Sequence, residues 1–236
     1  MSRPGRKSRG RAIDGTNVRA QVSDVSLVQQ RREQIVEAAV ELFSRQGFYR
    51  TTVQEVAARA GMSTGSIYHY ARTKEDILLL ALLSVLHSYA TEIPQALEGV
   101  ADPMERLWRA VGAYCRVIDS RRAATVLAYR STKSLPRKQQ EMVKDAELET
   151  NRLIADCVAD CRAAGLIRDV DVDMATHLFV MFAHSWALKH WRLQQSMSRT
   201  EFLSRGFDIL FTGIATPAGL ERFAGFRRSL EEPGDH

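Results

Sequence analysis

The sequence predicts an all-α fold in two parts, a small N-terminal head and a larger C-terminal helical bundle. Three observations predict it. Apolar residues recur at helical spacing from about residue 26 to residue 214. Long Val/Ile/Thr alternations, which half-buried strands require, are absent. Only 6 prolines interrupt the 236 residues. A 45% hydrophobic and 26% charged composition suits a folded chain with a real core. The expected division is a basic flexible tail over 1–25, a head over 26–75, a body over 76–214 and a polar tail over 215–236.

The elements follow in order. The first 25 residues are rich in Arg, Gly and Ser and show no periodicity. Ile35, Ala39, Leu42 and Phe43 share one face of a first helix, which Gly47 can end in the left-handed region. Thr52 and Glu55 form a capping box for a second helix, with Val53, Val56, Ala57 and Ala60 on its apolar face and Gly61 at its end. Ser63 caps a third helix of roughly seven residues to Tyr70. Thr73 and Asp76 cap a fourth, running toward Tyr89. Pro94 to Pro103 reads as a break. Further helices are expected at 104–118, 122–132, 137–164, 171–195 and 199–214.

Charge is unevenly placed. Residues 1–75 hold 13 Lys and Arg against 7 Asp and Glu, a formal +6, while the remainder is −1. That excess points to a polyanion partner at the head. Two short helices joined by a tight glycine turn, the second polar and aromatic, make a helix-turn-helix. Ile67 is the inward anchor, and the small residues beside it let the helix start enter a major groove closely. Its free N–H groups and dipole favour nearby phosphate. Tyr68, His69 and Lys74 have the reach of backbone-phosphate donors.

The run GFYRTTVQEVAARAGMSTGSIYHYARTKEDIL resembles the DNA-binding domain of TetR-type bacterial transcriptional regulators, over residues 29–80. The resemblance implies DNA contacts from Thr64, Gly65, Ser66, Tyr68, His69 and Lys74, with Thr52 at a phosphate-contacting position. It also implies a dimer formed through the last two bundle helices, a near-palindromic operator and a small effector held in the body. The family usually has an aromatic residue where this chain has Ala71, which puts packing under the third helix in question. The segments AYRSTKSLP (128–136) and DVDMATHLFVMFAHSWALKHW (171–191) resemble a subgroup whose effectors are acyl-CoA thioesters or related acids.

Candidate effector contacts are Tyr114, Tyr129, Phe182 and Trp186 for an apolar body, with Arg116 or Arg130 for an anionic end. Phe179 and Trp191, with Met174 and Met181, suit a dimer face, a cavity wall or plain core.

Other signals are set aside. Gly61-Met62-Ser63-Thr64-Gly65 matches a nucleophile elbow, but a helix precedes it where that chemistry needs a strand. Cys157 and Cys161 share a helix face with apolar neighbours and read as buried thiols; His177 and His184 lack a third metal ligand. Arg9-Gly10-Arg11 reads either as a minor-groove hook or as a solvated tail. Three cysteines suit a reducing cytoplasm, and no apolar run near the ~20 residues of a membrane span stands out, the best being His177 to Leu188. The expectation is a ligand-responsive dimeric DNA-binding repressor, neither an enzyme nor a cofactor protein. The alternatives are a helical ligand carrier or a regulator that senses hydrophobic drugs.

Overall fold

A computed structural model describes residues 25–231. The basic segment before Val25, with its Arg9-Gly10-Arg11 reading, lies outside the described residues. Within them the order is α1 (Val25–Gln46), α2 (Val53–Arg59), α3 (Thr64–Ile67), α4 (Lys74–Leu97), α5 (Pro103–Ser120), α6 (Arg122–Ser131), α7 (Arg137–Ala163), α8 (Val172–Leu188), α9 (His190–Leu193), α10 (Arg199–Ile214) and α11 (Pro217–Glu231). A 3-10 turn, Thr132–Ser134, joins α6 to α7. Extended pairing among the described residues is one bridge, Ile167 to Ala215.

The caps explain where helices start. Thr52 with Glu55, Thr73 with Asp76, and Ser198 with Glu201 are all complete capping boxes. Asp102 caps α5 with Pro103 in its first turn, where a missing N–H costs nothing. Gly47, Gly61, Gly99 and Gly165 take positive φ just past helix ends.

α4 is the central rod. Ile77, Leu78, Leu79, Leu80, Ala81, Leu82 and Leu83 are consecutive and all buried. A helix apolar on every side must be surrounded, and α1, α5, α6 and α7 pack around this one. By length and composition α4 is, among the described residues, a helix apolar enough to cross a membrane; most of it is buried within the fold. The break expected at Pro94 is corrected. α4 continues to Leu97, because Ile93 is fully buried and holds the last turns in place while the exposed proline forfeits one hydrogen bond.

Two further boundaries differ from expectation. The helix expected over 171–195 ends at Leu188, and a separate single turn follows. The tail expected over 215–236 contains α11, a packed helix. Its start is held by Thr216, whose hydroxyl donates to Gly165 O (2.7 Å) and accepts from the Gly219 amide (3.1 Å). Gly219 lies so near the Leu166 carbonyl that a Cβ there would sit 1.9 Å from the oxygen. Phe223 then enters an aromatic cluster, 5.1 Å from Phe211 and 5.6 Å from Phe207 between ring centres. Thr216-Pro217, a cap followed by proline at the first helical position, was the overlooked start signal.

Phe223→Ala should therefore lower unfolding free energy by about 3 kcal/mol in urea denaturation. An unchanged midpoint would mean that α11 contributes no core.

Candidate functional site

The head is built around Ile35, Phe43, Phe48, Val56 and Ile67, all buried. An Arg59–Glu41 ion pair ties α2 to α1. Tyr70 and Ala71 complete this core at 6% and 1% exposure, so the smaller residue at 71 is accommodated within the packed head.

α3 is shorter than the seven residues expected. Regular helix spans Thr64–Ile67, and the chain then tightens through Tyr70 N–H to Ile67 O (2.8 Å) and Ala71 N–H to the same oxygen (2.9 Å). Fully buried Ile67 pins the turn, and Asp76 draws in the Arg72 and Thr73 amides (3.0 and 3.2 Å) to begin α4. One turn aligns few peptide dipoles, so close approach and side-chain donors carry this element, not a macrodipole.

The expected contact residues are placed as follows. Gly65, Tyr68 and His69 are exposed; Thr64 and Ser66 are half-buried. A Cβ on Gly65 would meet nothing nearer than Ser63 Oγ at 3.9 Å. Nothing within the chain demands a glycine there, which leaves the space to an approaching surface. Ser63 Oγ accepts the Ser66 amide (3.1 Å) and bonds Ser66 Oγ (2.8 Å), so Ser63 is a cap and not a nucleophile. The exposed Thr52 hydroxyl accepts from the Glu55 amide (3.2 Å) and donates to its carboxylate (3.0 Å).

Lys74 turns inward instead. Its ammonium donates to the carbonyls of Phe48 (3.0 Å), Tyr49 (3.3 Å) and Thr51 (3.0 Å) and sits 4.6 Å from the centre of the Phe48 ring. All three N–H groups are engaged within the chain, and Lys74 clamps the turn between α1 and α2. The signal was available, since carbonyls freed beyond a helix end attract cations.

In the body the expected effector residues separate into groups. Tyr114 and Tyr129 meet at His184, with Tyr114 Oη 3.2 Å from Nε2 and Tyr129 Oη 2.8 Å from Nδ1. A neutral imidazole offers one donor and one acceptor, and the two phenols complete it. Burial pushes the His184 pKa down to about 4 and raises the Tyr114 phenol well above its ordinary value, so the group is uncharged at neutral pH. Tyr89, which the sequence analysis missed, stacks on Tyr114 at 4.1 Å. Its buried hydroxyl closes no hydrogen bond of acceptable geometry, although Thr125 and Tyr114 lie beside it.

Phe182 and Trp186 face α10. Phe182 stacks on Phe202 at 4.5 Å, and a Cβ on Gly206 would fall 1.9 Å from its ring. Trp186 donates to Asp119 Oδ1 (2.9 Å) and lies 5.1 Å from the Phe202 ring. Arg116 is exposed and stands outside the Tyr–His group; Arg130 lines a different cleft, against α1. The thiols of Cys115, Cys157 and Cys161 are buried, which pushes their pKa values up to about 12, 11 and 12. Cys161 Sγ donates to Pro103 O at 3.2 Å. Among the described residues no group of three or more His, Cys, Asp or Glu side chains is placed to hold a metal ion.

Comparison with known proteins agrees with this division. Residues 35–81 match the family model described as bacterial regulatory proteins, tetR family, and residues 100–214 match that of the tetracyclin repressor-like C-terminal domain. The chain is 45% identical over 215 residues to the HTH-type transcriptional regulator HbdR of Aromatoleum sp. (strain CIB), covering 91% of this chain and 94% of that one. It is 29% identical over 146 residues to the HTH-type transcriptional repressor KstR2 of Mycolicibacterium smegmatis, covering 61% and 71%. The crystal structure of AibR in complex with isovaleryl coenzyme A and operator DNA superposes with a TM-score of 0.66 at 18% identity, covering 77% and 98%.

Two outcomes follow from the geometry. Lys74→Met keeps the apolar stem over Phe48 but loses three hydrogen bonds, and should cost about 2 kcal/mol of stability. The slope of log affinity for DNA against log salt should not change; a slope shallower by about 1 would put this ammonium on a phosphate. For His184, the folded pKa lies below the unfolded value near 6.5, so its stabilising contribution is full above pH 6.5 and is lost as pH falls toward 4. At pH 5 the wild type should lose about 2 kcal/mol more, relative to pH 7, than His184→Gln in urea unfolding. Equal losses would contradict a neutral buried ring.

Proposed function

Because the chain belongs to the TetR family of DNA-binding transcriptional regulators, we propose that it is a homodimeric repressor released from a near-palindromic operator by an acyl-CoA thioester. The family is one of regulators and not of enzymes.

The observation that carries the effector reading is the buried Tyr89 hydroxyl beside the Tyr114–His184–Tyr129 group. Buried polar atoms are nearly always paired, and an orphaned phenol suits a carbonyl acceptor on a ligand; the Glu147 carboxyl near Tyr114 and Tyr129 disfavours an anion at this point. A thioester supplies such a carbonyl. The isovaleryl coenzyme A in the AibR complex lends support to this class.

A route from that group to the head is on hand. Tyr129 lies on α6, which packs on α1 and leads into the 3-10 turn. From there Ser134 Oγ donates to Tyr49 Oη (3.1 Å), and Gln139 Nε2 on α7 donates to Asp76 Oδ1 (2.8 Å), the cap of α4. A ligand that moves Tyr129 would load both hydrogen bonds and bias the head position, which is the differential interaction that allostery needs.

For the dimer, α8 leaves Met174, Leu178 and Met181 exposed at i, i+4 and i+7, opposite its buried Phe179 and Ala183, and α10 leaves Ile209 73% exposed. A second copy would cover this stripe. Two heads related by a two-fold axis then read half-sites about 34–36 Å apart. In this reading Thr64 and Ser66 govern which bases are preferred, Gly65 admits the backbone, Tyr68 and His69 position phosphates, and Thr52 sets the start of α2 against the groove. The protein works in the cytoplasm, where operator DNA is found.

The experiment is selection of bound genomic fragments followed by operator release. Isovaleryl-, hexanoyl- and palmitoyl-CoA are titrated beside hydrophobic cations. At least one thioester should release the operator, by on the order of 100-fold in affinity. Tyr68→Ala should weaken all DNA sequences by about 1–2 kcal/mol per head without altering preference. Release by cations and by no thioester would replace this reading with a drug-sensing regulator.

A further inference from the structure

Between the head and the body lies a cleft of about 460 Å³, within the range of small-ligand sites. The head contributes Phe43, Ser44, Arg45 and Gly47 to its wall. The body contributes Arg122, Arg130 and Leu127 from α6, with Ala187 near the end of α8 and His190 at the start of α9. Three arginines and a histidine line it, and no carboxylate does. Arg45 pairs with Glu41 and Arg122 with Asp119, but among the described residues no carboxylate pairs with Arg130. His190 Nδ1 is buried and has no hydrogen-bond partner.

We propose that this cleft holds the phosphorylated nucleotide end of the acyl-CoA effector. The proposal rests on the thioester reading above and extends it to a second subsite. Guanidinium groups bind phosphate oxygens in a bidentate fork, and Arg130 offers an unpaired one. Phe43, Leu127 and Ala187 give the apolar wall that a purine ring needs. The position also fits. Arg130 follows Tyr129 directly on α6, and Ala187 lies three residues past His184 on α8, about 5 Å along the axis. In the proposed pose the carbonyl meets the Tyr–His group, and the pantetheine arm, longer than this separation, folds back between the two subsites. The two ends then serve different tasks: the acyl end fits the body, and the nucleotide end touches head and body together. Occupancy of a cleft with one wall on α1 and the other on α6 changes the contact that sets head position.

The test uses the full-length protein and three probes: coenzyme A, hexanoyl-CoA and hexanoyl-pantetheine, which lacks the nucleotide. Binding is measured by calorimetry on wild type, Arg130→Glu and Arg116→Glu, the last altering an exposed arginine outside the cleft. Thermal unfolding checks that each variant folds, and Arg130→Lys covers the case in which Arg130→Glu does not. Coenzyme A should bind the wild type, Arg130→Glu should weaken it by about tenfold or more, and Arg116→Glu should leave it unchanged. Hexanoyl-pantetheine should bind the wild type and Arg130→Glu alike. Absence of coenzyme A binding, or equal weakening by both charge reversals, would overturn the cleft assignment. If coenzyme A binds through Arg130 but neither hexanoyl probe gains affinity from its acyl group, the cleft stands and the acyl reading of the bundle falls.

Discussion

α4 begins at the capping box of Thr73 and Asp76 and ends before Gly99, and α1, α5, α6 and α7 are packed around it. Seven consecutive buried residues, Ile77 to Leu83, leave no polar face to turn outward. Each fully buried Leu or Ile is worth about 1.5–3 kcal/mol relative to exposure, so the helix cannot be released from α1, α5, α6 or α7 piecemeal. The head is attached to this rod at its first residue, where Lys74 gathers three carbonyls of the turn between α1 and α2. These bonds join the α1–α2 turn to the start of α4. The head's position relative to the body is then set by the contacts α1 and α4 make with α6 and α7.

That constraint gives the Tyr–His group its significance. Tyr114 comes from α5, Tyr129 from α6 and His184 from α8, while Tyr89 sits on the far half of α4. Hydrogen bonds thereby tie α5, α6 and α8, and ring stacking adds α4. Burial keeps the imidazole and the Tyr89 and Tyr114 phenols uncharged, so no ion-pair geometry needs to be rebuilt when the group rearranges. A ligand that completes the Tyr89 phenol competes for partners within this group, and α6 is the member that also touches the head. The fold thus places the polar cluster at the last turn of α6, directly before the turn whose Ser134 touches the head.

Much of this was legible in the sequence, because caps and glycine stops are local. Thr52, Ser63 and Thr73 each cap the helix that their spacing implies, and the helix-turn-helix follows from them. What escaped was decided by tertiary contact. Pro94 reads as a breaker, yet Ile93 is anchored in the core and the helix continues. α11 has only a weak apolar pattern, and its order comes from Phe223 meeting Phe207 and Phe211 across the chain. Lys74 looked like a surface cation because its carbonyl partners lie more than twenty residues earlier. Arg116 and Arg130 were equivalent in the sequence, and both are exposed; only the packing puts Arg130, and not Arg116, in the cleft against α1. Tyr89 carried no motif at all, and its partner on α5 is visible only once α4 and α5 are paired.

We propose that the body controls the head through the two hydrogen bonds at the ends of the α6–α7 connection, Ser134 to Tyr49 and Gln139 to Asp76. The most direct measurement is a thermodynamic cycle on the Ser134→Ala, Gln139→Ala double variant: operator affinity with and without the releasing thioester, and thioester affinity with and without operator. The account predicts that the free variant binds the thioester as tightly as wild type, while the factor by which it releases operator falls about tenfold, with the same loss in the reciprocal direction. An undiminished release factor in a variant that folds and binds both partners would contradict it.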